Sequence, residues 1–304
     1  MRPQAIQHVR ATTIRGNAII KMNLECIPCF QRQAIHAARM ATDDQEMQAA
    51  ILKKVVNALI SMEWDQPPPK LAQVVHRIVR TELGTDPYSK VKEESNERAL
   101  ALYDHMKDRV SGSDDPVLTA VKVAIAGNVM DFGPYSDFDF DTTLAQCLDS
   151  DLEVNHCREF KDRCKDSPSV LYLVDNAGEV VCDRILIETI NDVFSPKRIT
   201  IAVKGGNILN DATYMDIEQV GLNDIRNVDI ICVSNGEPFT GVPRESHCFR
   251  KIMDNYAMII SKGQGNYEML SSNDDIFFLL KAKCGIIAQD IGVPIGSMVC
   301  GKML

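Results

Sequence analysis

Residues 171–183 read LYLVDNAGEVVCD, and this stretch decides the fold class. A run of apolar, strand-like residues ends in an acid and an amide, Asp175 and Asn176, breaks at Ala177-Gly178 and continues into the helical pattern DRILIETIND. A buried strand has no packing use for two polar side chains at its carboxyl end. The stretch therefore reads as a strand, a tight turn and a helix, with oxygen atoms gathered where strand gives way to helix.

The same texture recurs to the end of the chain. RITIAVKG precedes DATYMDIEQVG, DIICVSNG and YAMIISKGQ follow, and FFLLKAKCGIIAQDIG offers one more strand or helix. Strands alternating with amphipathic helices imply parallel βαβ units, hence an α/β fold with a doubly wound sheet covered by helices on both faces. From Cys29 to about Ala124 the texture is helical instead, with apolar residues at helical spacing in QRQAIHAARMA, EMQAAILKKVVNALISM and LAQVVHRIVRTEL. The chain thus divides into an extension over 1–21, a mainly helical domain over 22–165 and an α/β domain over 166–304. The extension carries Arg2, Arg10, Arg15 and Lys21 without an acid, and Met22 offers an alternative start.

Composition narrows the function classes. A net charge of -9 and a pI near 5.2 exclude the basic face that a nucleic-acid partner requires. No apolar run is long enough to span a membrane. Ten scattered cysteines without a secretory apolar segment point to reduced thiols in the cytoplasm. The chain does not indicate its oligomeric state.

In open parallel sheets ligands bind beyond the carboxyl ends of the strands. Four such ends are informative: Asp175-Asn176, Lys204-Gly205-Gly206, Ser234-Asn235-Gly236 and Lys262-Gly263-Gln264-Gly265. A carboxylate and an amide carbonyl are hard oxygen ligands suited to Mg²⁺ or Mn²⁺, and Asp211 adds a second carboxylate on the same rim. Lys262, between small residues, is placed to meet a phosphoryl group. The plain alternative is that Asp175 or Asn176 caps the helix that follows, and Asp211 the next one, and spacing leaves both readings open. Glu179 suits a proton-transfer or supporting role, whereas Asp183 reads as structural. Cys26-Ile27-Pro28-Cys29 is half of a zinc-type knuckle with no second pair to close it. His247-Cys248 and the acidic run SDFDFD (136–141) read as loop features.

The run DNAGEVVCD, the loops VKGGNILNDAT and VSNGEPFTG, the segment IISKGQGNYE and the N-terminal CIPC, taken in order, resemble the damage-control phosphatase family, also called ARMT1-like or DUF89, in its short microbial branch. The resemblance runs from about Met22 to the end. It implies a Rossmann-like three-layer α/β/α sandwich with an N-terminal all-α domain, and a divalent metal (Mn, Mg, Co or Ni) held by Asp175, Asn176 and Asp211. It further implies phosphatase action on a small phosphorylated metabolite, with Asp175, Lys262 and Glu179 as the catalytic set. AGNVMDFG (126–133) resembles the family's GNxxD element, which adds Asn128 and Asp131 to Lys204, Gly205, Gly206, Asn235, Gly236 and Lys262 around the substrate. Competing readings are an S-adenosylmethionine-dependent methyltransferase and a non-enzymatic metal- or metabolite-binding module.

Overall fold

The computed structural model describes residues 20–128, 140–233 and 247–302. Asp131, Asn235, Gly236 and most of the acidic run lie outside the described residues, as do the side chains of His247 and Cys248.

The opening stretch forms β2 (Ser169–Leu173), an interior strand of a seven-stranded sheet. Its flanking strands are β3 (Arg198–Val203) and β5 (Met258–Lys262), both parallel to it, with Tyr172 in register with Ile201 and Ile260. β4 (Val228–Cys232) extends the sheet beyond β3, and β6 (Ile276–Lys281) extends it beyond β5. β7 (Met298–Lys302) and the two-residue β1 (Val154–Asn155) complete the order β1-β7-β6-β5-β2-β3-β4. Alternate residues of β2 enter opposite cores, Val170 and Tyr172 on one face and Leu171 and Leu173 on the other. Both faces are covered, so the strand is apolar throughout rather than alternating.

The sheet departs from the expected all-parallel order at one edge. β7 pairs antiparallel with β6, Leu279 opposite Cys300. The segment read as one strand or helix supplies both, because β6 is followed by α13 (Gly285–Ile291). After α13 the chain folds back beside β6 instead of crossing to a parallel position.

One face is covered by α4 (Ser89–Ala101), α5 (Tyr103–Ser111), α6 (Pro116–Gly127), α8 (Cys157–Asp166), α9 (Glu179–Phe194) and α10 (Tyr214–Gln219). α7 (Phe140–Asp149) adds Leu144 and Cys147 to the same core. The other face is covered by α11 (His247–Met253), α12 (Gly263–Leu270) and α13. The result is the three-layer α/β/α sandwich.

The first three helices, α1 (Cys26–Ala41), α2 (Gln45–Ser61) and α3 (Pro68–Leu83), form a separate core from apolar residues one turn apart. Phe30, Ala34 and Ala37 face Ile51, Val55 and Leu59, and Leu71, Val75 and Val79. Pro68 starts α3 at a position where a missing N–H costs nothing, and Gly84 ends it in the left-handed conformation at φ 68°. The expected division at 165/166 falls after α4–α6 and β1, which already contribute to the sheet layers. Ile20, inside the expected extension, is buried in the α11–α13 core.

α6 and α9 touch through a glycine. A Cβ at Gly127 would lie 2.9 Å from the Cys182 Cβ and 3.2 Å from the Glu179 Cγ, so the absence of a side chain sets the spacing of the two helices. Gly127→Ala is expected to cost about 1–3 kcal/mol through overpacking, read as a lowered denaturant midpoint with an unchanged slope.

Candidate active site at the sheet's switch point

From β2 the chain winds outward through β3 and β4, whereas β5 and β6 lie on its other side. The order therefore reverses between β2 and β5, and a crevice opens at their carboxyl ends. Asp175 leaves β2 there, and Gly263 starts α12 directly after β5. Gly263 has φ 76°, and a Cβ on it would fall 1.9 Å from Asp175 Oδ2 and 2.2 Å from its Cγ. Only glycine permits both the backbone angle and the carboxylate resting on the helix start.

Two amides grip that carboxylate. Asn128, at the end of α6, donates from Nδ2 to Asp175 Oδ2 (3.0 Å) and to Glu179 Oε2 (2.8 Å). Asn176 donates from Nδ2 to the same two oxygens, at 2.9 and 3.3 Å. With both nitrogens committed to carboxylates, the amide oxygens are left as acceptors. Asn128 Oδ1 is buried with no partner among the described residues.

Asp211 is brought to the cluster by backbone. Asn176 and Asp211 form an isolated antiparallel bridge, and Ala212 N–H donates to Asp175 O (2.8 Å). Lys204, just beyond β3, places Nζ 3.9 Å from Asp211 Oδ2 and donates to Asn266 Oδ1 (3.2 Å). Of the neighbouring glycines, Gly205 is exposed and Gly206 partly so; the loop's contribution to the adjoining cavity is Lys204, Ile208, Leu209 and Asp211.

Neither capping alternative describes these residues. Gly178 holds the N-cap position of α9, and the Asp175 and Asn176 side chains turn into the cluster instead. Thr213, not Asp211, precedes α10, with its N–H and hydroxyl both donating to Asp216 Oδ2 at 2.7 Å.

Lys262 lies elsewhere than expected. Its ammonium is fully buried, donating to Glu179 Oε1 (2.6 Å), to Ala124 O (2.9 Å) and to Asp183 Oδ1, which also accepts the Tyr172 hydroxyl at 2.8 Å. Glu179 and Asp183, one turn apart on α9, both face inward to this cation rather than toward the rim. Burial opposes the Lys262 charge, but the two carboxylates outweigh it and hold its pKa above the ordinary lysine value.

A second buried network, not anticipated from the sequence, ties the site to α4. Asn96 Oδ1 accepts the Gly178 N–H (2.6 Å), while its Nδ2 donates to Asp216 Oδ1 (3.0 Å) and Gln219 Oε1 (2.7 Å). Lys92 Nζ pairs with Asp216 Oδ2 at 2.7 Å. The turn after β2 and the loop after β3 are thus fastened to one helix. A polar helix such as SKVKEESNERALA reads as surface, and only the 92/95/96/99 stripe of buried residues betrays the inward face.

Electrostatically the cluster carries excess negative charge. Burial, then Glu179 and Asp211, pushes the Asp175 carboxyl up to about 8 against the weaker pull of Lys283 and Lys204. Burial raises Asp211 as well, with Lys204 and Lys92 opposing. Two crowded carboxylates, an oriented amide carbonyl and the orphaned Asn128 oxygen form a hard oxygen set whose charge a divalent cation would offset, so the residues fit such a group. Cys26 and Cys29 are free cysteines on the cavity wall.

Residues 22–299 match the family described as the damage-control phosphatase ARMT1-like domain. The chain is 34% identical over 288 residues to a damage-control phosphatase of Pyrococcus horikoshii, covering 92% of this chain and 98% of that one. It is 33% identical over 293 residues to a damage-control phosphatase of Archaeoglobus fulgidus, with coverage of 92% and 98%. The crystal structure of a DUF89 family protein from Pyrococcus horikoshii superposes with a TM-score of 0.84 at 33% identity, covering 93% of this chain and 99% of that one.

Removing the buried cation strands two carboxylates, so Lys262→Met is expected to cost about 3–5 kcal/mol in a denaturant titration. Metal-free protein should also lose stability with rising pH. Asp175 in the folded state holds its proton to about 8, whereas the unfolded chain releases it near ~3.9. Its contribution is complete below the unfolded value and disappears as pH rises through the folded one. Denaturant midpoints in chelator should fall between pH 5 and pH 8, and added divalent cation should restore most at the upper end.

Proposed function

The chain belongs to the damage-control phosphatase ARMT1-like family, and from that premise we propose that it is a divalent-metal-dependent phosphatase of small phosphorylated metabolites. The observation that carries this reading is the convergence of Asp175, Asn176 and Asp211 at the switch point, with both neighbouring amide nitrogens committed to carboxylates. Water adds to phosphorus and the ester P–O bond breaks, giving an alcohol and inorganic phosphate.

In this reading Asp175, Asn176 and Asp211 hold Mn²⁺, Mg²⁺, Co²⁺ or Ni²⁺, and the bound cation supplies Lewis-acid polarisation of the phosphoryl oxygens. Lys204 is the side chain we assign to the phosphoryl charge, since its ammonium lies beside Asp211 on the cavity, where Lys262 does not reach. Asn128 is assigned to orienting substrate or ligand oxygens, supported by its buried, unpartnered Oδ1. Glu179 becomes a positioning residue: clamped by Lys262, it accepts from the amide nitrogens of Asn128 and Asn176 and so leaves their oxygens as acceptors. We place the activity in the cytoplasm, a reading supported by nine described cysteines that are all free thiols. Among the described residues no helix is long and apolar enough to cross a membrane.

Protein stripped with chelator and reloaded with Mn²⁺ or Mg²⁺ should release phosphate from p-nitrophenyl phosphate. Asp175→Asn and Asp211→Asn should each lower kcat/KM by about 10²-fold or more while the fold, followed by circular dichroism, is retained. Full activity in either variant would sink the assignment.

A further inference from the structure

The cavity beside the oxygen cluster has a volume of about 500 Å³, far more than a phosphate requires. One end is formed by Asp175, Lys204 and Asp211. The remainder is walled by the first turns of α1 and α3 on one side and by α12 and the start of α13 on the other. That far part is mostly uncharged: Phe30, Pro68, Met269 and Ile286 supply apolar surface, and burial pushes the Cys26 thiol up, keeping it protonated.

Charge is distributed unevenly along the cavity. Among its described lining residues Lys204 is the one cation, and it sits at the phosphate end. Carboxylates continue past it in Glu25 and Glu268. Glu268 is the more constrained of the two. It projects from α12, accepts the Gln264 amide at 3.0 Å, and has no ion pair with any described lysine or arginine; burial pushes its carboxyl up to about 7, so the group carries full charge only above that pH. Gln264 is itself held by the Lys283 N–H at 3.1 Å, so the carboxylate has a fixed support. Gly263, on which the Asp175 carboxylate rests, is five residues earlier on the same helix. At a rise of 1.5 Å per residue this sets the Glu268 backbone roughly 7.5 Å along the helix axis from Gly263.

We propose that the site selects phosphomonoesters whose organic group is neutral or carries an amine at the end remote from phosphorus, with Glu268 as the residue that sets this preference. Bisphosphates, phosphoanhydrides and carboxylate-bearing esters are disfavoured, because a second anion would face a carboxylate across a cavity that screens charge poorly. An ammonium there meets its counter-ion, and a neutral hydroxyl meets an acceptor. The inference rests on the phosphatase reading above and concerns only which esters enter.

A matched series separates the two. The Mn²⁺-loaded full chain is assayed at about pH 8.5, where Glu268 is ionised, with 4-(aminomethyl)phenyl, 4-(hydroxymethyl)phenyl and 4-carboxyphenyl phosphate, which differ in charge at the far end of one ring. The carboxylate ester is expected to have kcat/KM about tenfold or more below the hydroxymethyl ester, with the aminomethyl ester equal to or above it. In Glu268→Gln the ratio between the aminomethyl and carboxylate esters should collapse toward unity. That ratio is internal to one preparation and does not depend on the fraction folded. Should the variant not fold, the wild-type ratio decides. Equal turnover of the three esters, or an unchanged ratio in the variant, overturns the charge selection and leaves the phosphatase reading standing. If none of the three is hydrolysed, both readings fall together.

Discussion

An ammonium group with no access to water organises this molecule. A buried lysine is tolerable only when opposite charge and hydrogen-bond acceptors surround it. Lys262 meets that requirement with Glu179, Asp183 and the Ala124 carbonyl, drawn from two different helices. Satisfying one cation therefore fixes α9 and α6 against the end of β5. Asn128 ends α6 and Asn176 lies in the turn that leads into α9, so the geometry of the oxygen cluster follows from the burial of a charge beneath it.

A second level of constraint comes from backbone contact. Asp175 rests on a glycine that no other residue could replace, and the loop bearing Asp211 is stitched to Asn176 by a bridge. Asn96 and Lys92 then join the turn after β2 to the start of α10 through Asp216. Oxygen ligands carried on loops would ordinarily be mobile. Here each loop is held at several points by buried polar partners, so the donors are arranged before any ligand arrives.

Much of this was legible in the sequence, and the failures have physical causes. Strand-to-helix texture gave the three layers, because apolar β-branched runs and 3.6-residue periodicity are local signals. The acid-amide pair after LYLV marked the switch point for the same reason: polar side chains at a strand end are conspicuous. Lys262 misled because a lysine among glycines reads as exposed, and only the partners brought by α9 and α6, 83 and 138 residues away in sequence, permit its burial. Asn96 escaped notice because its helix is polar overall, and its meaning depends on a turn 82 residues later. The antiparallel pairing of β7 escaped because strand, helix and strand follow one another there just as in a parallel βαβ unit.

The helices α1–α3 bury their own apolar residues together and lend the cavity only one wall. Part of the cavity's shape is therefore carried by a core separate from the one that holds the chemistry. A change at Phe30 or Pro68 alters what the cavity admits without touching the cation under α9 or the bridge between the loops. Such a division lets a lineage retune its diet of esters by substitutions in a few cap positions while the hydrolytic machinery is inherited intact.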